Sequence, residues 1–161
     1  MNDEVSAIRQ VAQSIAHQIG AQDRHHLGTI SDRDAARFHL TIQGAVPGPD
    51  REQAGTHPLM PSAVLAWGDG PPEDELIADG NVKDIFGGVE LGGLRLMGGG
   101  QDLVFHQPVA PGTELWMDVQ VEDIQLKQGR SGEFITLRLL REFRDAAGTT
   151  YTTCHETFLA R

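Results

Sequence analysis

In DEVSAIRQVAQSIAHQIG the apolar positions Val5, Ile8, Ala12, Ile15 and Ile19 step by three or four, the period of one helix face, and Gly20 follows as a stop. The pattern predicts an amphipathic helix over residues 1–20. TISDRDAARFHLTIQG then offers Ser31 as an N-cap with Asp34 three residues on, acids in the first turn and Gly44 at the end, which predicts a second, shorter helix. The next stretch, AVPGPDREQAGTHPLMPSAVLAWGDGPP, gathers most of the chain's eight prolines around the apolar segment Ala63 to Trp67. Periodicity alone allows a short buried helix or a strand there, and we read it as helix. Residues 69–100 are rich in Gly and Asp and read as long connections around a short strand near Leu94 to Met97.

From Gln101 the period falls to two. QDLVFHQ is followed by ELWMDVQVEDIQL, where Leu115, Met117, Val119 and Val121 alternate with Trp116, Asp118, Gln120 and Glu122, one face for the core and one for water. FITLRLLREFR puts Ile135, Leu137 and Leu139 on one side, and TTYTTCHETFLA closes the chain in β-branched and aromatic residues. KQGRSGE and DAAG join these strands as hairpins. Helices followed by long antiparallel strands predict an α+β domain with a sheet wrapped about a helix.

Composition narrows the partners. The 161 residues suit one domain, 39% hydrophobic and 22% charged is globular composition, and no apolar run reaches the roughly 20 residues of a membrane span. The first twenty residues lack the apolar core of a secretion signal, so the cytoplasm is the expected location. A formal charge of −10 disfavours nucleic acid and anionic membrane surfaces. An anionic ligand such as coenzyme A would need a local cationic patch. Lys127, Arg130, Arg138, Arg141 and Arg144 are the candidates, unless they simply form a solvated strand and turn face. The lone Cys154 sits in a strand pattern, where a buried spectator is expected rather than a nucleophile.

Four short elements carry a resemblance: a Gly99-Gly100-Gln101 turn entering a strand, Phe105-His106-Gln107-Pro108, a Pro111-Gly112 turn with Leu115, and Gly129-Arg130-Ser131-Gly132 before a long strand. In this order they resemble the hot-dog dehydratases of the MaoC-like superfamily, and more narrowly their N-terminal, fatty-acid-synthase-like dehydratase branch. TISDRDAARFHLTI and HPLMPSAVLAW are similar to that family's opening helix and to its loop into the hot-dog helix. The similarity spans roughly residues 27–161 and leaves residues 1–20 as an added helix. It implies a single hot-dog fold and hydration of trans-2-enoyl thioesters, or dehydration of 3-hydroxyacyl thioesters, on coenzyme A or acyl carrier protein. It implies no cofactor.

That chemistry needs a base to activate water, an acid to finish proton transfer at the α-carbon, and donors for the enolate-like thioester oxygen. In active family members a G-D-x-N-P-x-H loop after the first family helix supplies an Asp and a His five residues later, and a backbone N–H at the start of the hot-dog helix holds the carbonyl. Here that place reads Gln43-Gly44-Ala45-Val46-Pro47-Gly48-Pro49, with Ala45 where the acid belongs and no His at the interval. Asp50 and His57, seven apart rather than five, are the fallback pair. A His that often precedes the G-G-Q element is replaced by Gly98. His106 is either a pocket hydrogen-bonder or a strand histidine that fixes the next turn. His155 and the His25-His26 pair lack metal-ligand spacing, so no metal is expected.

The resemblance therefore implies a subunit without its own dyad, working as a heterodimer with a dyad-bearing hot-dog hydratase or as a homodimer. The expected substrate contacts are His57, Met60, Pro61, Ser62, Trp67, Gly99, Gly100 and Gln101. Two other readings compete. A hot-dog thioesterase would need an acid on the central helix, where AVLAW has none and Asp69 comes just after. A non-catalytic homodimer would only bind the acyl thioester.

Overall fold

The alternation in the second half becomes two long paired strands, which we number by their place in the chain: β3 (Glu114–Gly129) and β4 (Gly132–Arg144). In the computed structural model, residues 6–44, 55–63, 72–76, 88–91 and 93–161 are described; Val5, the segment 45–54 with Asp50, and Trp67 lie outside them. Leu115, Val121, Ile135, Leu137, Leu139 and Phe143 are each 0% exposed, so the predicted face is the core face. Burying each such side chain is worth about 1.5–3 kcal/mol. A bulge between Val121 and Asp123 adds one residue to β3, resets the two-residue period, and so returns Ile124 to the same core as Val121. The β3–β4 loop is the two residues Arg130 and Ser131, closed by the Gly129↔Gly132 pair with Gly132 at φ 121°. At the β4–β5 hairpin, Asp145 Oδ1 accepts from the N–H groups of Ala147 and Thr149, both at 2.9 Å. β5 (Thr150–Ala160) completes that side.

The sheet has five antiparallel strands in the order β1-β3-β4-β5-β2. β1 (Gln22–Thr29) has no counterpart in the pattern analysis. Its sequence, QDRHHLGT, is nearly all polar because the strand is at the sheet's edge and is held by its partner rather than by burial. Arg24 meets Asp118 at 2.8 Å through Nη2, and His26 meets Glu114 at 2.9 Å.

β2 (Leu96–Phe105) corrects two expectations. The predicted short strand near Leu94–Met97 and the later QDLVFHQ strand are one continuous strand, and Gly99-Gly100-Gln101 is not a turn. The glycines instead permit a bulge between Gly98 and Gly100 against β5, with Gly100 at φ 146°. The extra residue flips the alternation, so Leu96 and Leu103, on either side, both pack on the main core.

The first helix, α1 (Ala7–Ile15), tightens into a 3-10 turn over Ala16–Gln18. Its predicted face lies on this chain's own sheet: Ile15 is 3% exposed within the main core, and Ile8, Val11 and Ala12 pack beside it. Ile19 departs from that face and is 47% exposed, because the 3-10 turn advances each residue further around the axis than an α-helix does. The exit is pinned where Gly20 N–H donates to Val121 O at 2.8 Å and Val121 N–H to Ala21 O at 3.0 Å.

The second helix, α2 (Asp32–Gln43), has the predicted ends: Ser31 Oγ accepts from Asp34 N–H at 3.1 Å, and Gly44 at φ 70° donates to Leu40 O at 2.9 Å. The third, α3 (Met60–Ala63), reaches only Ala63, the first residue of the segment read as helix, and the rest of that segment lies outside the described residues. A 3-10 turn covers Glu73–Glu75. Among the described residues no helix is long and apolar enough to cross a membrane.

Two stability measurements test this account. Ile15→Ala should cost about 2–5 kcal/mol in denaturant unfolding, whereas a loss below about 0.5 kcal/mol would mean that α1 does not belong to the core. Gly100→Val should cost about 1–3 kcal/mol through its positive φ. Gly98→Ala, where a Cβ meets nothing within 4 Å, should stay within about 0.5 kcal/mol.

Candidate functional site

The segment entering α3 is held by the F-H-x-P element. Thr56 N–H donates to Val109 O at 2.7 Å. Gly55, at φ +72°, lies so close that a Cβ there would stand 2.5 Å from Pro108 Cβ and 2.9 Å from Val109 O. Only glycine allows that approach. Phe105-His106-Gln107-Pro108 is thus a scaffold element: His106 N–H donates to Tyr151 O at 2.9 Å and its Nε2 lies 2.9 Å from Thr153 Oγ1, which fixes the end of β2. Pro111-Gly112 acts similarly, with Gly112 N–H donating to Ile30 O at 2.9 Å just ahead of α2.

His57 is set between two neighbouring rings of α2, 5.3 Å from Phe38 and 5.7 Å from His39 between centroids. Its Nδ1 accepts from Leu59 N–H at 3.2 Å. Because a backbone N–H can only donate, Nδ1 must present its lone pair, and the ring's proton sits on Nε2. Partial burial, and secondarily the His39 ring, hold the His57 imidazole below its ordinary pKa. Two polar atoms nearby are buried with no partner among the described residues: Thr56 Oγ1, on a residue only 3% exposed, and His39 Nδ1. Sequence reasoning missed His39 and Thr56. No periodicity marks them: His39 meets His57 only through the packing of α2 against the segment before α3, and Thr56, though next to His57 in the chain, becomes notable only by its burial.

Met60 and Pro61 are buried, Met60 in the core formed with Ile30, Ala35, Val109 and Leu115. Ser62 Oγ turns back to donate to Leu59 O at 3.2 Å. Gly99, Gly100 and Gln101 lie instead along β2, beside Glu156 and Thr157 of β5. Gln101 Nε2 donates to Glu156 Oε1 at 2.6 Å, and Glu156 Oε2 lies 3.0 Å from Arg141 Nη1, both charged side chains being nearly buried. No hydrogen bond or ring contact among the described residues joins this group to His57. Trp67 and Asp50, expected at the site, lie outside the described residues.

The five cations proposed as a patch are largely matched by acids. Arg138 lies 3.0 Å from Glu122, Arg141 pairs with Glu156, and Arg144 meets Glu142 at 2.5 Å and Asp118 at 3.8 Å. Asp118 is held below the usual carboxylate range, chiefly by its hydrogen bond from Arg24. Glu122 also meets His155 at 2.8 Å. Burial above all, with Glu156 nearby, pushes the Cys154 thiol up to about 11, so it is an inert core group. No cluster of three or more metal-binding side chains occurs among the described residues.

An antiparallel sheet in this strand order, with a glycine-pinned segment leading into a helix, defines a hot-dog domain. Residues 55–154 match the family described as FAS1-like, dehydratase domain region, and the chain belongs to that family. Solved structures agree on the MaoC-like hot-dog fold. A chain of the ChsH1-ChsH2 complex from Mycobacterium tuberculosis is 13% identical with a TM-score of 0.66, covering 96% of this chain and 91% of that one. The MaoC-like dehydratase from Rhodospirillum rubrum is 14% identical with a TM-score of 0.59, covering 88% and 91%. The HadBC (3R-hydroxyacyl-ACP dehydratase) complex from Mycobacterium tuberculosis gives 15%, 0.57, 88% and 96%. No curated protein is a sequence match.

The depressed His57 pKa gives a pH prediction. On acidification the unfolded chain protonates this histidine before the folded one does, so the folded state binds fewer protons and stability falls as pH drops through the unfolded value of about 6.5. Thermal melts should therefore show native protein losing stability relative to His57→Gln between pH 7.5 and 5.5. A constant difference across that range would remove the desolvated imidazole.

Proposed function

We propose that the chain is the acyl-thioester-binding subunit of an (R)-specific enoyl-CoA or enoyl-ACP hydratase, or of the 3-hydroxyacyl-thioester dehydratase running the reverse reaction. The Asp/His pair is carried by a partner hot-dog chain. The observation that carries this reading is the state of His57, the histidine of the fallback pair. A general base needs a free lone pair, and the one on Nδ1 is committed to Leu59 N–H while Nε2 already bears the proton. The loop position expected for the acid is Ala45.

The partner is proposed to add at β2. This strand forms one edge of the sheet, and its Met97, Val104 and Phe105 are 42%, 52% and 45% exposed. An edge with unpaired backbone groups and exposed apolar side chains suits strand addition by a second hot-dog subunit. The ChsH1-ChsH2 and HadBC complexes, similar in fold, lend support as assemblies of more than one component. In this arrangement the His57–Ser62 segment, Trp67 and Gly99 to Gln101 shape the acyl site, Met60 and Pro61 from behind as core.

The isolated chain should hydrate crotonyl-coenzyme A no faster than a blank. Co-purification from the native source should recover a second hot-dog chain carrying the Asp/His spacing, and turnover should appear only with it. In that complex Asp50→Asn should leave turnover unchanged. Turnover by the chain alone, lost in Asp50→Asn, would falsify the proposal.

A further inference from the structure

We propose that His57 is a neutral hydrogen-bond donor to the thioester carbonyl, presenting Nε2–H from a ring locked by Leu59 N–H and flanked by Phe38 and His39. The inference rests on the acyl-thioester reading above and assigns the chain a direct part in polarising the substrate rather than only shaping a tunnel.

Three observations lead here. First, the tautomer follows from the Leu59 N–H donating to Nδ1 at 3.2 Å, and Nε2 makes no hydrogen bond to a described residue. Its proton is therefore available to an outside acceptor. Second, the adjoining Thr56 is 3% exposed and its Oγ1 has no partner among the described residues, nor does the buried Nδ1 of His39. A buried polar atom left unmatched costs about 1–3 kcal/mol, so the packing around His57 is not optimised for stability alone. Third, the donor is uncharged near neutrality, because burial and His39 hold its pKa down. The arginines on the sheet are matched by Asp118, Glu122, Glu142 and Glu156. A neutral donor suits a neutral carbonyl, and suits a phosphate or carboxylate poorly. The carbonyl oxygen gains negative character in the enolate-like transition state, so a fixed donor there strengthens as the reaction proceeds.

The test uses the full chain with two probes that share the pantetheine arm common to coenzyme A and carrier protein: butyryl-pantetheine, a thioester, and S-butyl-pantetheine, the thioether without the carbonyl. Nitrogen-15 imidazole spectra of the free protein should show His57 protonated at Nε2. The thioester should shift that Nε2–H resonance and the thioether should not. Native protein should bind the thioester roughly three- to tenfold more tightly, as one neutral hydrogen bond allows. His57→Phe should erase this preference while keeping thioether affinity. A proton on Nδ1 in the free protein, or a preference that survives His57→Phe, overturns the inference and leaves the acyl-binding reading standing. Failure to bind either probe overturns both. Should His57→Phe not fold, the Nε2–H shift in native protein decides by itself: a shift with the thioester only supports the donor role, and no difference between the probes refutes it.

Discussion

The pairing of β3 with β4 is the constraint on which the remaining structure depends. It runs from Trp116↔Arg144 to Gly129↔Gly132, and a slip of one residue would turn every core side chain to water. The two-residue Arg130-Ser131 loop sets its register at one end, and the bulge at Val121/Asp123 keeps Ile124 on the core side beyond it. β1 attaches to β3 and β5 to β4, so each strand outside the central pair inherits its position from that register. α1 docks through Ile15 on the same buried surface, which makes the N-terminal helix a tenant of the sheet rather than an appendage.

The short elements that signal the family act mainly as fasteners. Pro108 and Val109 clamp Gly55 and Thr56, Gly112 ties Ile30 ahead of α2, and His106 locks the end of β2 to β5. Their combined effect is to bring the His57 ring against Phe38 and His39 of α2 with its tautomer set. The geometry follows from backbone hydrogen bonds and one glycine contact, so the ring is ordered before any ligand arrives. Charge is arranged to stay out of the way: acids on neighbouring strands answer the arginines of β4, and the Arg141–Glu156 pair, steadied by Gln101, is spent within the domain.

Much of the fold was legible in the sequence because β3, β4 and β5 bury one face, and half-burial writes a period of two. The caps of α2 were legible because Ser31, Asp34 and Gly44 act through local backbone bonds. β1 was not, since an edge strand that gives the core little more than Leu27 leaves no period. The continuity of β2 was hidden for a different reason: three successive glycines signal a turn and a bulge equally, and only the β5 ladder selects the bulge.

For the site, the sequence by itself determined which family motifs are present and which residues stand in the loop after α2, Ala45 among them, because both are matters of residue identity along the chain. It also pointed to His57. Only the tertiary structure decided what His57 can do, since the hydrogen bond from Leu59 N–H, the flanking rings of α2 and the unmatched Thr56 hydroxyl exist only once Gly55 is pressed against Pro108. A protonation state belongs to an environment, and that environment is assembled from segments far apart in the chain.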